Sequence, residues 1–211
     1  MMTTDLEYLN RINAMIAQMQ EINETLGAIV QDALKNKKQG LRSTAYEFSK
    51  SIQLKEDDVM EMCVGSIIRY QPFASDLRAV TVAMKLSYDL SRVCRYLYNV
   101  IETLDEFEVK SCDVKEVSAL LADAREMVRQ SLKAYFERDA KKAAEIIKSD
   151  DSIDQRYRMI LSMHRTKPTS KTECILFNGL TARIIERLAD HACYISSEVI
   201  YLVTGRRTDY R

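Results

Sequence analysis

The sequence predicts an all-α protein built as two tandem antiparallel three-helix bundles, six long helices related by internal duplication. Three observations predict it. The 211 residues include only 5 Gly and 2 Pro, too few to punctuate the many hairpins of a sandwich or barrel. Apolar residues recur at intervals of three and four through most of the chain. The two prolines, Pro72 and Pro168, lie 96 residues apart and each stands just ahead of a long helical pattern, as if one three-helix block occurred twice.

The first helix carries Leu6, Leu9, Ile12, Ile16, Met19, Ile22, Leu26 and Ile29 on one face and is expected to stop in the cationic run Lys35 to Gly40. A second helix spans about Leu41 to Arg69. The third follows Pro72 and carries Phe73, Leu77, Val80, Met84, Leu90, Cys94, Leu97, Ile101 and Leu104. The polar stretch Asp105 to Asp113 separates the repeats, giving a first domain over 1–106 and a second over 107–211. The fourth, fifth and sixth helices are expected near Val114 to Phe136, Asp139 to His164 and Lys171 to Val203. Short loops force neighbouring helices to run antiparallel. The core stripe of the sixth helix reads as Phe177, Leu180, Ile184, Leu188, Ile195, Val199 and Leu202.

Composition narrows the function. Lys and Arg number 31 and so do Asp and Glu, so there is no basic field of the kind that drives nonspecific nucleic-acid binding. The longest stretches without a charged residue, Ile12 to Gln20 and Cys174 to Ala182, are nine residues long, well short of the roughly 20 a bilayer span requires. No basic segment precedes an apolar run at the N-terminus, so a cytoplasmic protein is expected. The five cysteines, Cys63, Cys94, Cys112, Cys174 and Cys193, form no Cys-x-x-Cys pair and read as buried reduced thiols.

Most catalytic signatures are absent. There is no Gly-rich phosphate loop, no His-Glu-x-x-His and no Glu-x-x-His pair. Only two histidines occur, and His164 reads as an edge residue of the core. What remains is carboxylate chemistry. Asp150 and Asp154 are four apart on the fifth helix, and Glu186 and Asp190 are four apart on the sixth, so each pair projects from one helix face. Such pairs can hold a hard cation through oxygen or form a solvated acidic face. At 100° per residue, Glu186 is about 200° from Ile184, which puts this pair on the side of the helix away from the expected stripe.

The run Ile185-Glu186-Arg187-Leu188-Ala189-Asp190-His191-Ala192, continuing through Glu198-Val199-Ile200-Tyr201-Leu202-Val203-Thr204-Gly205, resembles the C-terminal signature of the PhoU family of phosphate-uptake regulators. Arg69-Tyr70-Gln71-Pro72-Phe73-Ala74-Ser75-Asp76-Leu77-Arg78, with Lys85 and Asp89-Leu90, is similar to the start of that family's third helix. Arg138-Asp139-Ala140 and Asp150-Asp151-Ser152-Ile153-Asp154 resemble its fifth-helix pattern. The resemblance runs from Leu6 to Gly205.

It implies a non-catalytic cytoplasmic regulator that works with the phosphate ABC transporter's cytoplasmic ATPase or a sensor kinase, reaches the membrane only through partners, and self-associates as a homodimer. It also implies iron or divalent metal ions held by Glu/Asp-x-x-x-Asp motifs, which here are Asp150, Asp154, Glu186 and Asp190. Aligned with an offset of 95, the first repeat puts Lys55, Val59, Ser91 and Arg95 at those four positions, so only the second bundle is expected to bind metal. Glu56, Asp57 and Asp58 would supply a ligand if the second helix slipped in register. Tyr96, Tyr98 and Tyr194 are expected as partner anchors or as ordinary bundle packing. The alternatives that remain are a metal-dependent enzyme acting on a phosphate compound and a purely structural helical scaffold.

Overall fold

The computed structural model describes residues 7–166 and 171–207, with the side chains of 163–166 excepted. Leu6, the side chain of His164, and Pro168 therefore lie outside the described residues. Six helices follow in order: α1 (Glu7–Asn36), α2 (Arg42–Tyr70), α3 (Ser75–Glu106), α4 (Lys115–Glu137), α5 (Ala140–Thr166) and α6 (Thr172–Thr204). Among the described residues there is no strand. At 1.5 Å per residue, α6 with its 33 residues is about 50 Å long.

Helices α1, α2 and α3 pack together, as do α4, α5 and α6, and the two triplets meet where α3 lies on α6 and α1 on α4. The two bundles are consequently not separate bodies. Buried residues of all six helices form one continuous core, in which α3 and α6 are central and α2 and α5 lie on opposite flanks. Position explains composition: α3 buries residues on several sides, whereas α2 buries only Ala45, Ile52, Val59, Cys63 and Ser66, a single seam at mainly heptad spacing. Gly27 serves the α1–α4 contact, since a Cβ there would come within 2.5 Å of Arg125 Nε.

The scarcity of glycine is met at the helix ends by other residues. Lys37, Gln71 and Arg138 adopt the left-handed conformation with φ of 53°, 46° and 52°, and Lys38 N–H donates to Ala33 O and Asp139 N–H to Ala134 O, closing the last turns. Helix α1 thus stops at Lys37, ahead of Gly40. Asp139 Oδ1 then accepts from the N–H groups of Lys141 and Lys142 at 3.0 Å each and starts α5. Gly205 (φ 70°) ends α6.

Three expectations need correction. Cys112 and Cys174 are not reduced thiols: they form a disulfide that joins the α3–α4 loop to the first turn of α6, while Cys63, Cys94 and Cys193 are buried and outside any disulfide. Loop contacts bring the two sulfurs together, with Glu108 N–H donating to Glu173 Oε1 and Asn178 Nδ2 to Asp113 O. In α3 the apolar stripe begins later than expected, since Phe73 precedes the helix and is 87% exposed. In α6, Leu180 is exposed at 51% and the buried stripe runs through Phe177, Thr181, Ile185, Leu188, Ala192 and Ile195. Small residues there let α6 touch α3, α4 and α5 together.

Candidate functional site

Helices α5 and α6 pack along each other and bring both predicted carboxylate pairs to one seam. Asp150, Asp154, Glu186 and Asp190 are all half-buried. The pair on α6 is thus not turned out to solvent. With the true stripe passing through Ile185 and Leu188, Glu186 and Asp190 sit at its edge, and the Glu186 side chain is only 12% exposed.

The four groups sense one another across the seam. Burial, reinforced by the charges of Asp190 and Asp154 and opposed by a hydrogen bond from Cys193, pushes the Asp150 carboxyl up to about 6. Glu186 is raised by burial and by Asp190 and Asp154. Asp190 is raised by burial and by Asp154, with His191 and Arg183 opposing. Like charges in a partly dry seam disfavour the ionised form.

The rim is basic. Arg183 Nη1 donates to Glu186 Oε1 at 2.7 Å, and Arg158 Nη2 to Asp154 Oδ2 at 3.1 Å. Glu186 Oε2 is buried with no hydrogen-bond partner, an arrangement that normally costs free energy. A hard cation would satisfy that oxygen and relieve the mutual repulsion, so the donor set fits iron or a divalent ion. Among the described residues, no three His, Cys, Asp or Glu side chains already converge as a metal site. The seam is an all-oxygen donor set whose side chains would turn inward to bind.

The first repeat uses the corresponding face differently. Val59 is fully buried, and Ile52, Val59 and Ser66 of α2 match Ile146, Ile153 and Ile160 of α5 as buried positions, each pair 94 residues apart. In α3 and α6, Leu86, Leu90, Val93 and Leu97 match Thr181, Ile185, Leu188 and Ala192 at 95. The gapless alignment is therefore corrected by one residue in α2: Glu56 and Met60, not Lys55 and Val59, stand opposite Asp150 and Asp154. Lys55 Nζ donates to Gln18 Oε1 at 2.7 Å, and the Arg95 guanidinium lies 4.9 Å from the centre of the Tyr98 ring. One acidic position of four survives there, beside a fixed cation.

Of the three tyrosines expected as partner anchors or as ordinary bundle packing, Tyr96 and Tyr98 are buried in the bundle and Tyr194 is exposed. Sequence reasoning also missed a polar link between the repeats. Asp89 of α3 and His191 of α6 are both buried, with Asp89 Oδ1 2.8 Å from His191 Nδ1. Burial raises the Asp89 carboxyl and the His191 contact opposes the rise. A histidine that follows a motif residue on a central helix was the available signal, but its partner, 102 residues away, was not.

The fold and the seam together define a duplicated all-helical protein with a carboxylate seam on its second half. The comparisons specify it. The family model described as the PhoU domain matches twice, at residues 16–104 and 117–199, and the chain belongs to the PhoU family. It is 31% identical over 198 residues to the phosphate-specific transport system accessory protein PhoU homolog of Pseudomonas aeruginosa, covering 90% of this chain and 78% of that protein. It is 26% identical over 213 residues to the phosphate-specific transport system accessory protein PhoU of Escherichia coli, covering 95% and 88%. Among solved structures, PhoU from Pseudomonas aeruginosa superposes with a TM-score of 0.82 at 27% identity, covering 94% of this chain and 98% of that one. The phosphate transport system regulatory protein PhoU from Streptococcus pneumoniae shares the fold, with a TM-score of 0.88 at 19% identity over 95% and 97% of the two chains.

Proposed function

We propose that this protein is an accessory regulator of phosphate transport that acts by protein contact rather than by catalysis. Its relatives in Pseudomonas aeruginosa and Escherichia coli carry names of phosphate-specific transport accessory proteins. The observation that carries the reading is the match of both repeats to the PhoU domain over most of the chain. The partner proposed is the cytoplasmic ATPase of a phosphate ABC transporter or a phosphate-sensing kinase, met by a cytoplasmic homodimer that touches the membrane only through them. No helix among the described residues is long and apolar enough to cross a bilayer.

In this proposal the seam of Asp150, Asp154, Glu186 and Asp190 holds iron or a divalent cation. The cation would supply positive charge that four crowded carboxylates lack. The residues themselves set the location: α5 and α6 present the oxygens, Arg183 and Arg158 hold two of the carboxylates at the rim, and Ile153 and Ile185 are buried beside them.

Two measurements test the two parts separately. Deletion of the gene should derepress phosphate uptake or phosphate-starvation signalling, and unchanged uptake and signalling would refute the regulatory role. Dialysis against manganese, iron, zinc or nickel followed by metal counting should give bound metal that falls when Glu186 and Asp190 are changed to Ala. Equal stoichiometry in the double variant would remove the seam as the site.

A further inference from the structure

Away from the seam, on the outer flank of the first repeat, Gly65 sits in the interior of α2 with nothing to make room for: among the described residues, no atom lies within 4 Å of where its Cβ would stand. Gly40 and Gly205 have positive φ, and Gly27 gives way to Arg125. An exposed glycine inside a helix weakens it relative to alanine. A side chain is therefore missing at a place where the single chain would gain from one.

Two ridges of side chains spaced four residues apart run past this position. Met60, Val64 and Ile68 form an apolar ridge whose members are 36%, 43% and 73% exposed. Beside it run Glu61, Gly65 and Arg69, a ridge with a gap at its centre and opposite, exposed charges one turn to either side. Neither charge is in an ion pair among the described residues, and the Arg69 guanidinium lies 5.6 Å from the centre of the Tyr70 ring. The second repeat lacks this pattern. At the offset of 94, Asp154, Arg158 and Ser162 replace the apolar ridge, while Gln155 and Met159 replace Glu61 and Gly65.

We infer that two copies of this chain pair antiparallel through α2, about a two-fold axis at Gly65. Under that symmetry a residue one turn before the axis meets the residue one turn after it on the other copy, so Glu61 of each copy faces Arg69 of the other. The apolar ridge of each copy enters the groove that the missing side chain opens in the other, as in the packing of crossed helices by ridges spaced four residues apart. A face whose charges complement its own copy is what an isologous contact requires. Asp57 and Asp58 beside Glu61 keep the face acidic overall, which disfavours nucleic acid or an anionic membrane as its occupant. The inference rests on the homodimer of the regulatory proposal and assigns that dimer its surface.

Sedimentation velocity of the full chain over a concentration series tests it. The wild type should sediment as a reversible dimer. Gly65→Lys should weaken dimerisation at least roughly tenfold by filling the centre of the contact, and it should leave the helical circular dichroism spectrum intact because the position is open. Glu61→Arg and Arg69→Glu should each weaken it about tenfold through like-charge contacts. Mixing these two variants, or combining both changes in one chain, should restore the dimer, since every arginine again meets a glutamate. Gln155→Arg, at the matching place in the second repeat, should leave the dimer unchanged. A dimer that survives Gly65→Lys and both charge reversals would keep the homodimer and remove this surface. A wild type that stays monomeric throughout the series would remove both. No recovery in the mixture, or an equal loss in Gln155→Arg, would overturn the antiparallel pairing.

Discussion

The α2–α3 face of the first repeat and the α5–α6 face of the second descend from the same packing geometry but spend their side chains on different tasks. In the second, four carboxylates share a half-buried seam, where burial and neighbouring charge raise the proton affinity of Asp150, Glu186 and Asp190. In the first, Arg95 stacks on Tyr98, Arg42 pairs with Glu102 and hydrogen-bonds the Tyr98 hydroxyl, and Lys55 holds Gln18. The Arg42 and Lys55 contacts fasten α2 to α3 and to α1, and Arg95 stands on α3 where the second repeat has a carboxylate. A duplicated scaffold can thus carry two different faces, because the shared core holds both repeats regardless of the charge on each surface.

The largest expected effect probes the register of this comparison. If Val59 stands opposite Ile153, Val59→Asp places an unpaired carboxylate in the core and should destabilise the fold by about 3 kcal/mol or more. Met60→Asp, one residue along on an exposed position, should cost less than about 0.5 kcal/mol. Urea denaturation of the two variants distinguishes the registers. A well-tolerated Val59→Asp would restore the gapless alignment.

The second effect concerns the joint between the repeats. The Cys112–Cys174 disulfide closes a loop of 62 residues' separation, and such a closure stabilises by about 2 to 4 kcal/mol through the unfolded state. Reduction with dithiothreitol, or Cys112→Ser, should lower the melting temperature by several degrees. Free-thiol titration should rise from three to five on reduction, and five thiols in the untreated oxidised protein would contradict the pairing.

Most of the fold was legible because the signals that encode it are local. Pro72, the apolar spacing of α1 and the polar break at 105–113 each act within a few residues, and each helix boundary expected from them lies close to the one observed. Legibility failed where the cause was tertiary. Nothing in the residues Lys37, Gln71 and Arg138 announces a left-handed stop, since that conformation is imposed by the chain turning back onto the core. Leu180 and Phe73 are apolar yet exposed, so periodicity alone drew the stripes of α6 and α3 one face too wide. The four seam residues were found from their spacing, but whether they faced water or α5 depended on the true stripe through Ile185 and Leu188. The Cys112–Cys174 bond and the Asp89–His191 contact join positions far apart in sequence, where no local pattern operates.

The third effect is saturation of the seam. A cation that binds the folded seam and not the unfolded chain stabilises by about 2.7 kcal/mol when present at 100 times its dissociation constant. Manganese should therefore raise the melting temperature of the wild type, and Asp190→Asn should reduce the gain. Met60→Asp together with Ser91→Glu, which rebuilds acidity on the first repeat while keeping Arg95, should add no second increment. An increment of equal size there would show that Arg95 is no barrier and that the two faces differ less than their charges suggest.

The smallest effect tests the seam without metal. The Asp150 carboxyl titrates near 6 in the folded protein and near 3.9 in an unfolded chain. A raised folded value means the native state binds a proton more tightly than the unfolded state, so ionisation of Asp150 works against folding. That penalty is complete above about pH 6 and disappears as the pH falls from there towards 4, the direction in which the native state gains protons first. Because Asp150 is half-exposed, solvent screening reduces the effect to the order of 1 kcal/mol. Stability measured by denaturant between pH 7.5 and 5 should therefore rise for the wild type relative to Asp150→Asn, which carries no titratable group at that position. A divalent cation should flatten the difference by holding the carboxylates ionised. If wild type and Asp150→Asn track each other across this range, the carboxylates are too well solvated to repel one another, and the second face is as passive electrostatically as the first.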